Sequence, residues 1–130
     1  MDASFDVVVV GSGPAGCTAA ILLGRAGLKV ALLEAHKDPD HYKRLCTHSI
    51  RSGTLPALKR LGVDELMDDL GAVRHHENAW TKRGWLHERR TAPHGYNIRR
   101  VTLDPKLRAM AAAVPGVELV MGAKVRDLTS

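Results

Sequence analysis

The stretch DVVVVGSGPAGCTAAILLGRAGLKVALLE, Asp6 to Glu34, decides the fold. Val7 to Val10 is a β-branched run that stops at glycine, the pattern of a strand buried on both faces of a parallel sheet. Gly11, Gly13 and Gly16 follow at the spacing G-x-G-x-x-G, and from Cys17 the small and aliphatic residues Ala19, Ala20, Leu22 and Leu23 predict a helix. A helix opening directly after a strand leaves free backbone N–H groups pointing at the turn, and Gly13 has no side chain to hold a pyrophosphate away from them. Gly24, Gly27 and Leu28 end the helix, and Lys29 to Leu33 supplies a second apolar strand. Glu34 stands at its end, 18 residues after Gly16, where a carboxylate can accept hydrogen bonds from both hydroxyls of an adenosine ribose and disfavours a ribose phosphate. A glycine triplet alone would be an ordinary strand-to-helix turn. Here strand, triplet, helix, second strand and terminal acid agree on a dinucleotide site.

These residues resemble a known family. GSGPAG at Gly11–Gly16, with Ala20 four positions beyond and Glu34 closing the second strand, is similar to the FAD-binding start of the glutathione-reductase-like flavoproteins. The disulfide reductases of that superfamily carry a C-x4-C pair in the next segment, where this chain has only Cys46. The run SIRSGTLPALKRLGVDELMDDLGA, Ser49 to Ala72, instead resembles the flavin monooxygenases related to para-hydroxybenzoate hydroxylase, and also the geranylgeranyl reductases. In that pattern an arginine before a small-Gly pair reaches the FAD, which implies a cofactor contact for Arg51. The segment RRVTLDPKLRAMAAAVPGVELVMGAKVRDL, Arg99 to Leu128, is similar to the family's stretch with a flavin-proximal polar residue, a helix and a third parallel strand. Arg100 aligns with that residue, and Arg99 is a near-equal rival.

The resemblance implies an α/β, Rossmann-like FAD/NAD(P)-binding fold that starts with three parallel strands, carries an antiparallel insertion and is incomplete. It implies a partial FAD-binding domain over residues 1–130, with the dinucleotide motif in 1–35, a basic insertion in 72–100 and a helix plus third strand in 104–121. FAD would be the cofactor, held by Gly11, Gly13, Pro14, Ala15, Gly16, Glu34, Arg51 and Arg100. NAD(P)H would supply electrons, dioxygen would be activated and a small organic molecule hydroxylated. No catalytic side chain is assigned, because the hard chemistry would belong to the flavin. A prenyl reductase is the alternative, although reductases favour a Cys-Gly pair where this chain has Cys46-Thr47. A truncated, non-catalytic nucleotide-binding fragment is another.

The resemblance spans most of the 130 residues but only the first third of such an enzyme, and the family's later Asp-Gly and Gly-Asp motifs do not occur. The expectation is therefore that this chain binds the adenine half weakly, holds no stable yellow flavin, and self-associates through an uncovered edge of the strand Val7–Val10.

Composition sets independent limits. With 45% apolar residues, 130 residues form at most one modest domain, and the apolar runs are too short for a membrane span or signal peptide, so a cytoplasmic protein is expected. Cys17 and Cys46 fit no metal or redox spacing, and Cys17 reads as a small buried helix residue. Leu55, Leu58 and Leu61 mark a helix broken by Gly62, and Leu66, Met67 and Leu70 a second short one ended by Gly71. Polar pieces punctuated by Gly84, Pro93 and Gly95 predict antiparallel strands from Ala72 to Arg100. Asp104 then caps a helix with Pro105 in first position, whose apolar face is Leu107, Met110, Ala111 and Val114, and Val117 to Met121 is the third parallel strand.

The net charge of +5 is confined to the segment from Ala72 to Arg100, where Arg74, Lys82, Arg83, Arg89, Arg90, Arg99 and Arg100 face Glu77 and Glu88, interleaved with Trp80, Trp85 and Tyr96. Such a mixture could bind single-stranded nucleic acid, but a solvated strand face or a surface attracting an anionic substrate or nicotinamide phosphate accounts for it better, and no nucleic-acid partner is expected. No metal is expected at His75-His76 either, since neighbouring strand residues point to opposite faces.

Overall fold

The computed structural model describes residues 4–87 and 91–129. Asp2, Glu88, Arg89, Arg90 and Ser130 lie outside the described residues. In chain order the elements are β1 (Val7–Val10), α1 (Pro14–Arg25), β2 (Val30–Glu34), β3 (Ser49–Ile50), α2 (Leu55–Leu61), β4 (Val73–His75), β5 (Asn78–Thr81), β6 (Gly84–His87), β7 (Gly95–Asn97), α3 (Arg100–Ala112) and β8 (Val117–Met121). They fall into two units, one formed by the chain up to Arg44 together with Arg100 onward, the other by Leu45–Arg99.

The first unit is a parallel sheet in the order β1-β2-β8. Val7 pairs with Val30 and Val30 with Val117, so the period of two puts Val7, Val9, Val30, Leu32, Val117 and Leu119 on one face. Helix α1 lies on that face: a Cβ built on Gly16 would stand 3.5 Å from Val9 Cγ1, and one on Gly24 would stand 2.5 Å from Val117 Cγ2. Gly24 therefore belongs to the last turn of α1 and is used for close packing, rather than ending the helix; Gly27, at φ +89°, is the residue that turns the chain. The core here is Cys17, Ala20, Ile21, Val30, Ala31, Leu32, Leu103, Leu107 and Ala111. On the opposite face Val8 and Val10 are 55% and 61% exposed. The four-valine run is thus covered on one face only, where Val7 and Val9 are half-buried under α1, and among the described residues nothing covers Val8 and Val10.

Helix α1 begins at Pro14, earlier than Cys17, since proline's fixed φ suits the first helical turn. Helix α3 also begins early, at Arg100, and Asp104 and Pro105 lie inside it instead of starting it. Asp-Pro is a sound start signal, but Leu103 is buried in the core and Arg100 reaches Asp104 one turn on, and together these extend the helix upstream. The Asp104 carboxylate accepts from Arg100 Nε at 2.6 Å and from Lys43 N at 3.2 Å, so it binds across the unit and caps nothing.

In the second unit β3 and β4 flank β7 antiparallel, and β5 and β6 form a separate hairpin. The core is Leu58, Leu61, Val63, Met67, Tyr96 and Ile98. Helix α2 ends at Gly62 in the left-handed region, as expected. The expected second short helix is instead a 3-10 turn, Asp64–Leu66, running into turns up to Gly71 at φ +75°, because the stretch between the two glycines is too short to offset helix nucleation. His75 Nε2 lies 3.1 Å from Ser49 Oγ and His76 Nε2 lies 3.0 Å from Ala92 O, so the adjacent histidines have separate partners. Among the described residues no cluster of His, Cys, Asp or Glu could hold a metal ion, and no helix is long and apolar enough to cross a membrane.

Candidate nucleotide site

The glycines of the β1–α1 turn are there for three different reasons. Gly11 sits at φ +97°, where a side chain is strained. Gly16 carries α1 so close to the strand end that a Cβ would lie 1.8 Å from Gly11 O. Gly13 has an ordinary backbone, φ −71°, and a Cβ there would meet nothing within 4 Å. The first and third glycines are demanded by the fold, and the second keeps open space beside the helix N-terminus. Gly13 is the N-cap of α1 and supplies no side-chain cap, Pro14 removes one N–H, and the first turn holds no acidic residue. The remaining N–H groups and the positive end of the helix dipole therefore have room for an anion. Ala15 is exposed in that first turn.

Glu34 faces this turn. Its Oε2 accepts from Ser12 N at 2.9 Å and from Ser12 Oγ at 2.7 Å, and Oε1 accepts from His36 N at 3.0 Å. Partial burial alone would raise its pKa, but the His36 N–H and the two Ser12 donors outweigh that and hold the carboxyl down at about 2 from an ordinary 4.5. A carboxylate offers about four lone-pair positions, and three are taken, so one ribose hydroxyl can bind as the site stands and a second requires Ser12 Oγ to turn away. Because the folded-state pKa is depressed, the stabilisation is complete above the unfolded value of 4.5 and is lost as pH falls through about 2. Glu34→Gln should accordingly flatten the acid limb of a circular-dichroism titration in that window; an unaltered limb would show that other carboxylates control it.

Around these groups lies a cavity of about 290 Å³, lined by Ser12, Gly13 and Glu34 on the sheet side and by His36, His41, Lys43, Arg100, Asp104 and Arg108. The rings of His36 and His41 stack at 3.4 Å, 15° from parallel. Arg108, buried like Asp104, donates to the carbonyls of Pro39 and His41, and Lys43 N donates to Asp104. One face of α3, Arg100, Asp104 and Arg108 at spacings of four, thus holds residues 39–43 against the cavity. Arg108 Nε is buried without a partner among the described residues, leaving one N–H for an incoming acceptor or water. The glycine turn, Glu34 and Arg100 predicted from sequence therefore meet at one cavity, and Arg100 rather than Arg99 lines it. Arg51 belongs to the second unit, where its Nε pairs with Glu77 Oε2 at 3.2 Å. His36, His41, Lys43 and Arg108 were not singled out from sequence, and Asp104 reads there only as a helix cap. The four-residue spacing of the charges on α3 was the one available signal, and the Asp-Pro start signal obscured it.

Cys17, at the base of the first turn, contacts Ser12 O through its Sγ at 3.1 Å. Burial pushes its thiol up to about 11, with Arg108 opposing and Asp104 and Glu34 adding to the rise, so it is protonated at neutral pH. Only Cys46 should react with a thiol reagent in the native state, and both cysteines in denaturant; two fast-reacting thiols in the native state would contradict the packing of α1.

Strand, glycine turn, helix and carboxylate form a dinucleotide-type unit of the parallel α/β class, and the open Gly13 and uncapped helix end leave room for an anionic group such as a pyrophosphate. The model of the FAD binding domain family matches residues 4–130, and the chain belongs to that family. It is similar to menaquinone reductase of Mycolicibacterium smegmatis, at 31% identity over 99% of this chain and 32% of that protein. It is also similar to squalene epoxidase erg1 of Aspergillus fumigatus, at 38% identity over 52% of this chain and 14% of that protein. Among solved structures it shares its fold with pqsL, a probable FAD-dependent monooxygenase from Pseudomonas aeruginosa, at a TM-score of 0.75 and 15% identity over 96% of this chain and 35% of that one. The chain spans about a third or less of the length of these proteins.

Proposed function

We propose that this chain is the FAD-binding segment of an NAD(P)H- and dioxygen-dependent monooxygenase acting on a small organic substrate. The observation that carries the reading is the juxtaposition of Glu34, the open Gly13 turn and Arg100 at one cavity. Gly11 and Gly16 shape the turn, the N–H groups of Gly13, Ala15 and Gly16 hold the pyrophosphate, Glu34 accepts from the ribose, and Arg100 neutralises phosphate charge. Arg51 contacts the cofactor once its pairing with Glu77 is exchanged. FAD, when bound, supplies electron transfer from the nicotinamide to the oxidant, which no side chain of this chain can provide. The protein's part is to bind and orient the cofactor, and the open edge of β1 gives a further strand, or a second copy, a place to pair.

Glu34→Ala should weaken ADP binding by about 1.5–3 kcal/mol, the value of a charged hydrogen bond, and ADP should bind better than its 2′-phosphorylated analogue because the added dianion meets the carboxylate. Calorimetric titration tests both, and equal affinity for the two nucleotides would mean that Glu34 does not face the ribose. A second reading, a reductase of prenyl double bonds, is favoured by the similarity to digeranylgeranylglycerophospholipid reductase of Picrophilus torridus, at 29% identity over 87% of this chain and 29% of that protein. Substrate-dependent NAD(P)H oxidation with and without dioxygen separates the two, since only the monooxygenase requires it.

A further inference from the structure

The β5–β6 hairpin stands apart in the second unit as a sheet of two strands, an arrangement that is marginal in water on its own. Its side chains are the reverse of what a solvated hairpin presents. Trp80 and Trp85 pair directly across the strands, edge to face at 5.3 Å, and remain 67% and 58% exposed. On the other face Leu86, opposite Ala79, is 61% exposed. The connecting turn is Lys82-Arg83, and it is fixed: Thr81 Oγ1 donates to Gly84 O at 3.0 Å and accepts from Arg83 N at 3.2 Å, with Gly84 at φ +107°.

We propose that this hairpin is an interfacial membrane anchor whose partner is an anionic lipid surface. Exposed indoles flanked by lysine and arginine suit the bilayer boundary, where the ring body enters the acyl edge, the N–H stays among the headgroups and the cations meet lipid phosphates. Apolar groups on both faces match an element surrounded by its partner. A single-strand nucleic-acid platform would need open ring faces on one side and would leave Leu86 unused. Charge points the same way, because the hairpin from Asn78 to His87 carries Lys82 and Arg83 at its turn and no acidic residue. Each Lys or Arg held near an anionic bilayer adds to binding and makes it sensitive to salt.

The two tryptophans of the chain are both in the hairpin, so tryptophan fluorescence, excited selectively over Tyr42 and Tyr96, reports on it alone. Vesicles of phosphatidylcholine with phosphatidylglycerol should shift the emission to the blue and sediment the protein, and vesicles of phosphatidylcholine alone should bind at least about tenfold more weakly. The double variant Trp80→Ser, Trp85→Ser retains every charge and should lose about tenfold or more in sedimentation, while Lys82→Glu, Arg83→Glu should abolish the preference for anionic lipid. Unchanged ADP binding by the variants would establish that they fold. Undiminished vesicle binding by the tryptophan variant, absence of binding to either vesicle, or a larger tryptophan response to a single-stranded oligonucleotide than to anionic vesicles would each overturn the proposal.

Discussion

Gly16→Ala is expected to destabilise the fold by about 3 kcal/mol or more, whereas Gly13→Val, a larger change three residues away, should leave it folded and remove nucleotide binding. The new Cβ at position 16 would stand 1.8 Å from Gly11 O, and a backbone carbonyl cannot rotate away as a side-chain tip can. Relief requires α1 to move off the sheet, at or above the upper end of the 1–3 kcal/mol typical of overpacking. At position 13 a Cβ meets nothing within 4 Å and the backbone is one any residue adopts, so the apoprotein has room for valine. The branched side chain then fills the space beside the free N–H groups of α1. Urea denaturation should separate the two variants on stability, and calorimetry with ADP should show no binding by folded Gly13→Val. A folded Gly16→Ala of unchanged stability, or unimpaired ADP binding by Gly13→Val, would refute these roles.

The second large effect is expected at Asp104. Its carboxylate is 3% exposed, ion-paired with Arg100 and bonded to Lys43 N, beside an Arg108 that is 4% exposed. Asp104→Ala removes a buried carboxylate from its ion pair with the largely buried Arg100, and a buried pair broken from one side typically costs about 3–5 kcal/mol. The loss should extend to function, because residues 39–43 are tied down through Asp104 and Arg108 and carry His41 and Lys43 to the cavity. Asp104→Asn keeps an acceptor for Lys43 N and should lose less stability than the alanine variant. Replacing Arg100, Asp104 and Arg108 together by apolar residues should be less harmful to stability than Asp104→Ala alone, yet still weaken ADP binding. Chemical denaturation of the three variants tests the order, and equal stability of Asp104→Ala and the wild type would contradict the network.

The nucleotide motif was legible because each of its parts has a local cause. A β-branched run, a glycine that must take positive φ, one that must let a helix touch a strand, and an acid at a strand end all leave marks within 29 residues. The exposure of Val8 and Val10 was not legible, because a strand's composition records the sheet it was selected for, not the neighbours present along one face. The start of α3 was misread for a related reason. Asp-Pro is a local signal, while the burial of Leu103 and the Arg100–Asp104 pair are tertiary, and tertiary contacts prevailed. The loop of His36, His41 and Lys43 carries no periodicity, and its position depends on guanidinium and carboxylate groups more than 60 residues away. Such pairings cannot be read from one sequence.

On the proposed reading this chain holds the adenosine diphosphate half of FAD in the cavity between the Gly13 turn and Glu34. Competition against bound FAD tests it most directly. ADP should displace FAD from the protein, and FMN, which carries the flavin without the adenylate, should not at equal concentration. Displacement by FMN as effective as by ADP would place the flavin half at this site and contradict the account.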